Sequence, residues 1–189
     1  MTDHAARAST VAAVPRLVVD TLAARLPGPG DLDATMAVIN QARQSVLGDG
    51  LLTVNLNRSD LDRHLAHNDT DMIDLQRLWS SDPAAYPVGG RKRKANTPWT
   101  DHLLRQGRVF IGEGQAALQH AFDDHKTIWS LGLHGVVNVP LLSESGLCFA
   151  TFNVLGAHDT WHTDQVAFIR LLALLATPAV RLAGLAEGR

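Results

Sequence analysis

A single cysteine, Cys148, serves the whole chain of 189 residues. One thiol excludes an intramolecular disulfide and any two-cysteine redox cycle within the chain. Aromatic residues are scarce at 5%, and no catalytic triad, metal box or phosphate-binding loop is visible. No apolar run approaches the roughly 20 residues of a membrane helix; the best candidate, Val166 to Ala176, is interrupted by Arg170. The opening MTDHAARAST lacks the basic-then-apolar layout of a secretion signal, so a cytoplasmic location is expected. Charge of one sign is not in excess either. A formal net charge of -2 supplies no global field for nucleic acid or an anionic membrane, and neither is expected as a partner.

What is present reads as one domain. Hydrophobic residues at 46% and charged residues at 19% are ordinary for a globular protein of this length. Apolar positions Val14, Leu17, Val18, Leu22 and Leu26 predict a helix over 11–26, ended by Pro27-Gly28-Pro29-Gly30. Asp31 or Asp33 caps a second helix with an apolar stripe of Met36, Ile39, Ala42 and Val46, stopped at Gly48-Asp49-Gly50. Leu52, Val54 and Leu56 alternate as one face of a strand over 51–56, and a second strand over 72–79 pairs with it across a polar excursion. That excursion, 57–70, reads as a loop with a helical turn at most.

The stretch 80–96 is rich in proline, glycine and charge, and no periodic structure fits it; it reads as a lid. Thr97-Pro98 starts a helix that Gly107 ends. A short strand over 108–111 and a helical stretch over 113–131 follow. Strands over 136–142 and 147–155 flank Ser143-Glu144-Ser145-Gly146, a hairpin by its turn chemistry. The chain closes with a helix over 163–182, in which Pro178 is expected to produce a kink or a break.

Short connections between neighbouring strands favour an α/β (α+β) fold with a central antiparallel sheet of about five or six strands. The terminal helices are expected together on one face. The lid and short helices roof the other face over a ligand pocket. The expected division is an N-terminal helical extension over 1–30, a domain over 31–184 and a tail over 185–189.

Three of the four tryptophans, Trp79, Trp99 and Trp129, lie with the only tyrosine, Tyr86, in the segment that builds this pocket. They are its expected walls, offering apolar area and stacking faces. Parity puts Asn138 on one face of its strand, and Thr151 and Asn153 on the matching face of the next; this polar set is the expected floor. The competing reading is that these groups only satisfy neighbouring backbone. In the basic run Arg91-Lys92-Arg93-Lys94, Arg91 or Lys92 would meet a carboxylate, against the alternative of a solvated loop. The nine histidines lack the spacing and partners of a zinc site, so no metal site is expected. His134 is included among ligand-binding candidates; His125, His134 and His120 are candidates for a haem ligand or a general base. Cys148 is expected on a strand facing the helix layer, buried and inert.

Ser130-Leu131-Gly132-Leu133, Val136-Val137-Asn138-Val139-Pro140, the Gly146 turn, Ala150-Thr151-Phe152-Asn153-Val154-Leu155 and the helix opened by Trp161-His162-Thr163-Asp164 together resemble the GAF family. The resemblance covers roughly Ala34 to Leu182 and implies the fold more than the ligand. It departs from the family at Ala150, where glycine is common. The family's free methionine sulfoxide reductases use several cysteines, so the lone Cys148 argues against that activity. The resemblance implies a stand-alone sensory or regulatory domain that binds a small organic ligand under the 80–96 lid. A homodimer through the terminal helices is expected from their surplus apolar surface. The alternative is an enzyme on the same fold, for example a haem-dependent lyase or reductase, so the cofactor is open between none and haem.

Overall fold

Leu52, Val54 and Leu56 do face one way, and Leu51, Thr53 and Asn55 the other, along a central strand, β1 (Gly50–Asn57). The computed structural model describes residues 14–59 and 72–187; most of the polar excursion and the first residues of the expected first helix lie outside these. The remaining strands are β2 (Ile73–Ser80), β3 (Arg91–Lys94), β4 (Phe110–Glu113), β5 (Gly135–Leu142) and β6 (Cys148–Gly156). They form a six-stranded sheet in the order β3-β2-β1-β6-β5-β4, with every neighbouring pair antiparallel. Strands from the two ends of the sequence, β1 and β6, meet at its centre from Gly50↔Gly156 to Leu56↔Ala150.

One face is covered by α1 (Arg16–Arg25), α2 (Leu32–Leu47) and α6 (Thr163–Glu187). Met36 and Ile39 of α2 and Phe168, Ile169, Leu172, Ala176 and Val180 of α6 pack onto Leu52, Val54, Val137, Phe152 and Val154 of the sheet. The i, i+3, i+4 spacing of these positions is what makes both helices amphipathic and fixes which side they bury. Asp31 Oδ1 accepts from the Ala34 amide at 2.9 Å, so Asp31 is the cap.

The far end of α2 is closed by Gly48 at φ 76, and by a side chain the sequence pattern did not mark. Arg43 is only 1% exposed. Its Nε donates to Asn40 Oδ1, Nη1 to the Gly48 carbonyl and Nη2 to the Gly50 carbonyl. The guanidinium thus joins the helix end to the start of β1. Burial pulls its pKa down, with Asp49 opposing.

α6 runs unbroken through Pro178. The proline leaves the Leu174 carbonyl without its usual donor, and Leu174 is on the exposed side of the helix at 68%. By length and composition alone α6 would also reach across a membrane, contrary to the sequence expectation. Its apolar stripe is instead in contact with the sheet.

The opposite face is roofed by the 80–96 segment, α3 (Pro98–Thr100, continuing as a π-helical turn, Asp101–Arg105), α4 (Gly114–Ala121) and α5 (His125–Ser130). Thr97 and Thr100 form a reciprocal capping box at the start of α3. Two expectations are corrected here. The 80–96 segment is not without periodic structure, because Arg91–Lys94 extends the sheet beside β2. Charged residues at a sheet edge are an ordinary means of blocking further pairing, and they hide the strand from an apolar pattern search. The helical stretch over 113–131 is also broken. Phe122 adopts φ -130, ψ 126, which ends α4 and turns its ring inward.

Candidate functional site

Between the roof and the sheet lies a cavity of about 60 Å3. Its floor is the alternate face of four strands: Leu51, Thr53 and Asn55 of β1, Leu75 and Arg77 of β2, Val136 and Asn138 of β5, Asn153 and Leu155 of β6. Its walls are Tyr86, Lys92, Lys94, Trp99, Phe122, Asp124 and Ile128.

The polar floor is a ladder across three paired strands, since Asn138 faces Asn153 and Asn153 faces Thr53. Trp99 Nε1 donates to Asn138 Oδ1 at 3.1 Å, and Asn138 Nδ2 donates to Asn153 Oδ1 at 2.8 Å. Asn153 Nδ2 then reaches Thr53 Oγ1 at 3.3 Å and Thr151 Oγ1 at 3.1 Å. All of these residues are buried. A connected ladder of this kind fixes each amide's orientation, because a reversed amide would set donor against donor.

Charge is concentrated on the β2–β3 side. The chain returns to β2 after Pro87: the Gly89 amide donates to the Arg77 carbonyl and the Arg77 amide to the Gly90 carbonyl, both at 2.8 Å. This turn, with Gly89 at φ 79, places Lys92 and Lys94 on the cavity side. Lys92 Nζ lies 2.6 Å from Asp124 Oδ2, and Lys94 Nζ 2.6 Å from Asp123 Oδ2. Arg77, 8% exposed, donates from Nη1 to the Pro87 carbonyl at 3.0 Å. Its guanidinium carbon stands 4.8 Å from the centre of the Tyr86 ring. Arg77 Nε is buried without a hydrogen-bond partner, and beside it the buried Tyr86 hydroxyl is directed as a donor at the Asp124 carboxylate.

The titration behaviour follows from this packing. Burial lowers the Arg77 pKa, opposed by the fields of Tyr86 and Asp124. Burial, then the adjacent Asp124 charge, raises the Tyr86 phenol above its ordinary range. Burial would raise Asp124, yet the Lys92 ammonium beside it outweighs that and holds the carboxyl below its usual value. Asp123 is lowered by its hydrogen bond to Lys94 and by that ammonium's charge.

Of the residues marked from sequence, Tyr86, Lys92, Trp99, Asn138 and Asn153 line the cavity. Thr151 does not line the cavity; it is fully buried, and its Oγ1 accepts from Asn153 Nδ2. Arg91 is exposed and pairs with Asp74 at 3.6 Å. Trp79 packs into the helix-side core. A bulge is responsible: Asn55 faces Arg77 while Val54 faces Trp79, so Leu78 is the extra residue and Trp79 shares the side of Val54. Trp129 lies behind the wall, its ring 4.8 Å from that of His125. A second bulge corrects the expectation for Cys148. Leu142 faces Cys148 and Leu141 faces Ala150, so Phe149 is skipped and Cys148 turns to the Trp99, Leu103 and Leu104 side rather than to the helix layer.

The residues present do not fit haem. His120 is exposed on α4, His125 Nδ1 is engaged with the Phe122 carbonyl at 2.9 Å, and His134 Nδ1 faces Asp159 at 3.2 Å; none lines the cavity. Pockets for large organic ligands measure about 300 Å3 or more, several times the space here. Among the described residues no group of three or more metal-ligating side chains comes together. The sequence reading missed Arg77, Thr53, Asn55 and Asp124. The first three share the parity of Leu51 and Leu75, opposite to the face that was read, so the signal was present in the alternation.

A sheet of this order, with terminal helices on one face and a roofed cavity on the other, is the GAF-domain fold. The chain is similar to the GAF domain of a phosphoenolpyruvate-protein phosphotransferase from Coxiella burnetii, with 13% identity over 95% of this chain and 99% of that one and a TM-score of 0.64. The GAF domain of a two-component sensor histidine kinase from Bacillus halodurans is 15% identical over 85% of this chain and 99% of that one, TM-score 0.59. The chromophore-binding domain of a bacteriophytochrome from R. palustris is 11% identical over 91% of this chain and 61% of that one, TM-score 0.59. No protein-family model matches the sequence, and no curated protein matches it. At these identities the likeness establishes the fold.

Proposed function

We propose that this domain is a sensory or regulatory module that binds a small polar organic molecule in the cavity beneath the 80–96 segment. The observation that carries the reading is Arg77: a buried guanidinium at the cavity floor whose Nε has no partner. A buried donor without a partner costs about 1–3 kcal/mol, and an incoming acceptor recovers it. The occurrence of the fold in a sensor histidine kinase supports the sensory side of the reading. Thermal-shift screening against amino acids, organic acids, purines and nucleotides tests it. A ligand at about 100 times its Kd adds roughly 2.7 kcal/mol of stability, and that gain should vanish in Arg77→Met. If no compound stabilises the wild type, the reading fails.

The same proposal includes a homodimer through the terminal helices. Leu171, Leu174, Leu182 and Leu185 of α6 and Leu17 of α1 are exposed apolar side chains, and exposed apolar surface on helices of this kind is what a second copy would cover. Sedimentation at micromolar concentration should give twice the chain mass; a monomer alone would remove this part.

A further inference from the structure

Three buried polar atoms at the cavity differ in kind, and the difference specifies what they would bind. Arg77 Nε is a donor without a partner, Asp124 Oδ1 is an acceptor only, and Tyr86 Oη, whose proton is directed at Asp124, is left as an acceptor. Arg77 is held in place, with Nη1 on the Pro87 carbonyl and the guanidinium against the Tyr86 ring. Lys92 is neutralised by Asp124 and Lys94 by Asp123. Arg77 therefore carries the uncompensated positive charge of this cavity, among the described residues. A cavity with one uncompensated guanidinium favours one negative charge, and a carboxylate matches its geometry.

Size narrows the class further. A water needs roughly 10–15 Å3 of such space, so the cavity of about 60 Å3 admits a group on the scale of four to six non-hydrogen atoms. That is a carboxylate, its neighbouring carbon, one polar substituent and little more. The apolar lining of Leu51, Leu75 and Ile128 accommodates a methyl group beside it.

We propose, on the basis of the small-molecule reading above, that the ligand is a short monocarboxylate with a hydrogen-bond donor on the carbon next to the carboxylate. The carboxylate meets Arg77 Nε and the donor meets Asp124 Oδ1 or Tyr86 Oη. Both α-hydroxy and α-amino acids have this pattern. The net charge of the cavity orders them, because a hydroxy acid brings one negative charge and a zwitterion brings none.

Isothermal titration at low salt with lactate, alanine, propionate and lactamide separates the elements. Lactate should bind most tightly; propionate, lacking the donor, and alanine should each be several-fold weaker, and lactamide, lacking the charge, at least ten-fold weaker. Tyr86→Phe and Arg77→Lys serve as variants with small structural change: the first should bring lactate towards the affinity of propionate where Tyr86 Oη is the partner, and the second should weaken every carboxylate. Lactamide equal to lactate would overturn the charge assignment, propionate equal to lactate the donor, and alanine above lactate the charge order. If a larger compound stabilises the wild type but not Arg77→Met while lactate does nothing, the cavity reading stands and the ligand class is wrong. If nothing binds, both fail.

Discussion

Lys92 Nζ and Asp124 Oδ2 stand 2.6 Å apart, which ties the edge strand β3 to the start of α5 across 32 residues of chain. The Lys94–Asp123 pair has the same length but a different environment: the lysine is buried while the aspartate side chain is 90% exposed. The two pairs together fasten β3 to the α4–α5 junction beside the cavity.

Lys92→Met should loosen the lid. Its pair is half-sheltered, with the two side chains 39% and 23% exposed, so the loss lies between that of a surface pair and that of a fully buried one, about 1–2 kcal/mol. Urea denaturation reads the stability, and hydrogen exchange should show faster amide exchange for residues 91–94. An unchanged exchange pattern would mean that backbone pairing to β2 alone holds the strand.

Asn138→Leu should be costly out of proportion to its size. It leaves Trp99 Nε1 and Asn153 Oδ1 without partners in a buried layer. Each such group costs about 1–3 kcal/mol, so a loss of roughly 2–4 kcal/mol is expected by chemical denaturation. Asn153→Ala in the same background should cost less than it does alone, because the ladder is already broken. Strict additivity of the two would show that the amides act independently.

Much of this fold was legible because its strands alternate cleanly. Leu52, Val54 and Leu56 against Leu51, Thr53 and Asn55 is a period of two, and the placement of Asn138 and Asn153 on the cavity face follows from the same rule. Parity fails where a strand gains a residue. Leu78 and Phe149 are single extra residues in the pairing, and each sends the residues beyond it to the other face. Nothing in the composition around them marks a bulge, so alternation alone puts Trp79 and Cys148 on the wrong sides. The charged edge strand was hidden for the opposite reason: Arg91 to Lys94 has no apolar residue to set a period, and its pairing with Ile73 to Gln76 is visible only in three dimensions. Arg43 and Arg77 are the least expected of all, since burial of a guanidinium depends on carbonyls that the fold assembles around it.

Stability should fall as the solution is acidified through two separate windows. Burial first, then the nearby His162, lowers the His158 pKa, with Asp159 opposing. The folded state thus takes up a proton less readily than the unfolded chain. This contribution is complete above the ordinary histidine value near 6.5 and is lost as pH falls through the depressed folded value. Asp123 and Asp124, held below the carboxylate value of 3.8, contribute above it and are lost at more acid pH. His158→Gln should flatten the upper window in thermal melts between pH 7 and 5 and leave the lower one in place. An unaltered slope would assign the upper window to another group.

His158 also sets a steric requirement on the strand below it. A Cβ built at Gly156 would lie 2.7 Å from His158 Cε1, and one at Gly135 would lie 2.7 Å from Trp161 Nε1. The two rings stack edge to face with centres 4.2 Å apart over these paired glycines. Gly156→Ala should therefore displace the ring pair and cost about 1–3 kcal/mol, the ordinary penalty for overpacking. The double variant Gly156→Ala, His158→Ala should recover part of that loss in urea melts. Additive losses would locate the strain in the backbone instead.

Cys148 reports on the roof from within. Its side chain is buried among Ile73, Leu75, Trp99, Leu103 and Leu104, and its Sγ is 3.2 Å from the Ala150 carbonyl. A thiol in apolar surroundings is poorly ionised, and labelling requires both exposure and thiolate. In native buffer a disulfide reagent should therefore modify it only at the rate at which the covering elements open. Two regimes are distinguishable by adding denaturant. If labelling follows global unfolding, its rate rises steeply with urea from the lowest concentrations; if α3 lifts alone, labelling is fast and nearly independent of urea until the global transition. The contacts of Trp99 with both Asn138 and Phe122 favour the first regime, because opening α3 would break the cavity's own polar ladder. A ligand seated against that ladder should then slow labelling further, in proportion to its occupancy.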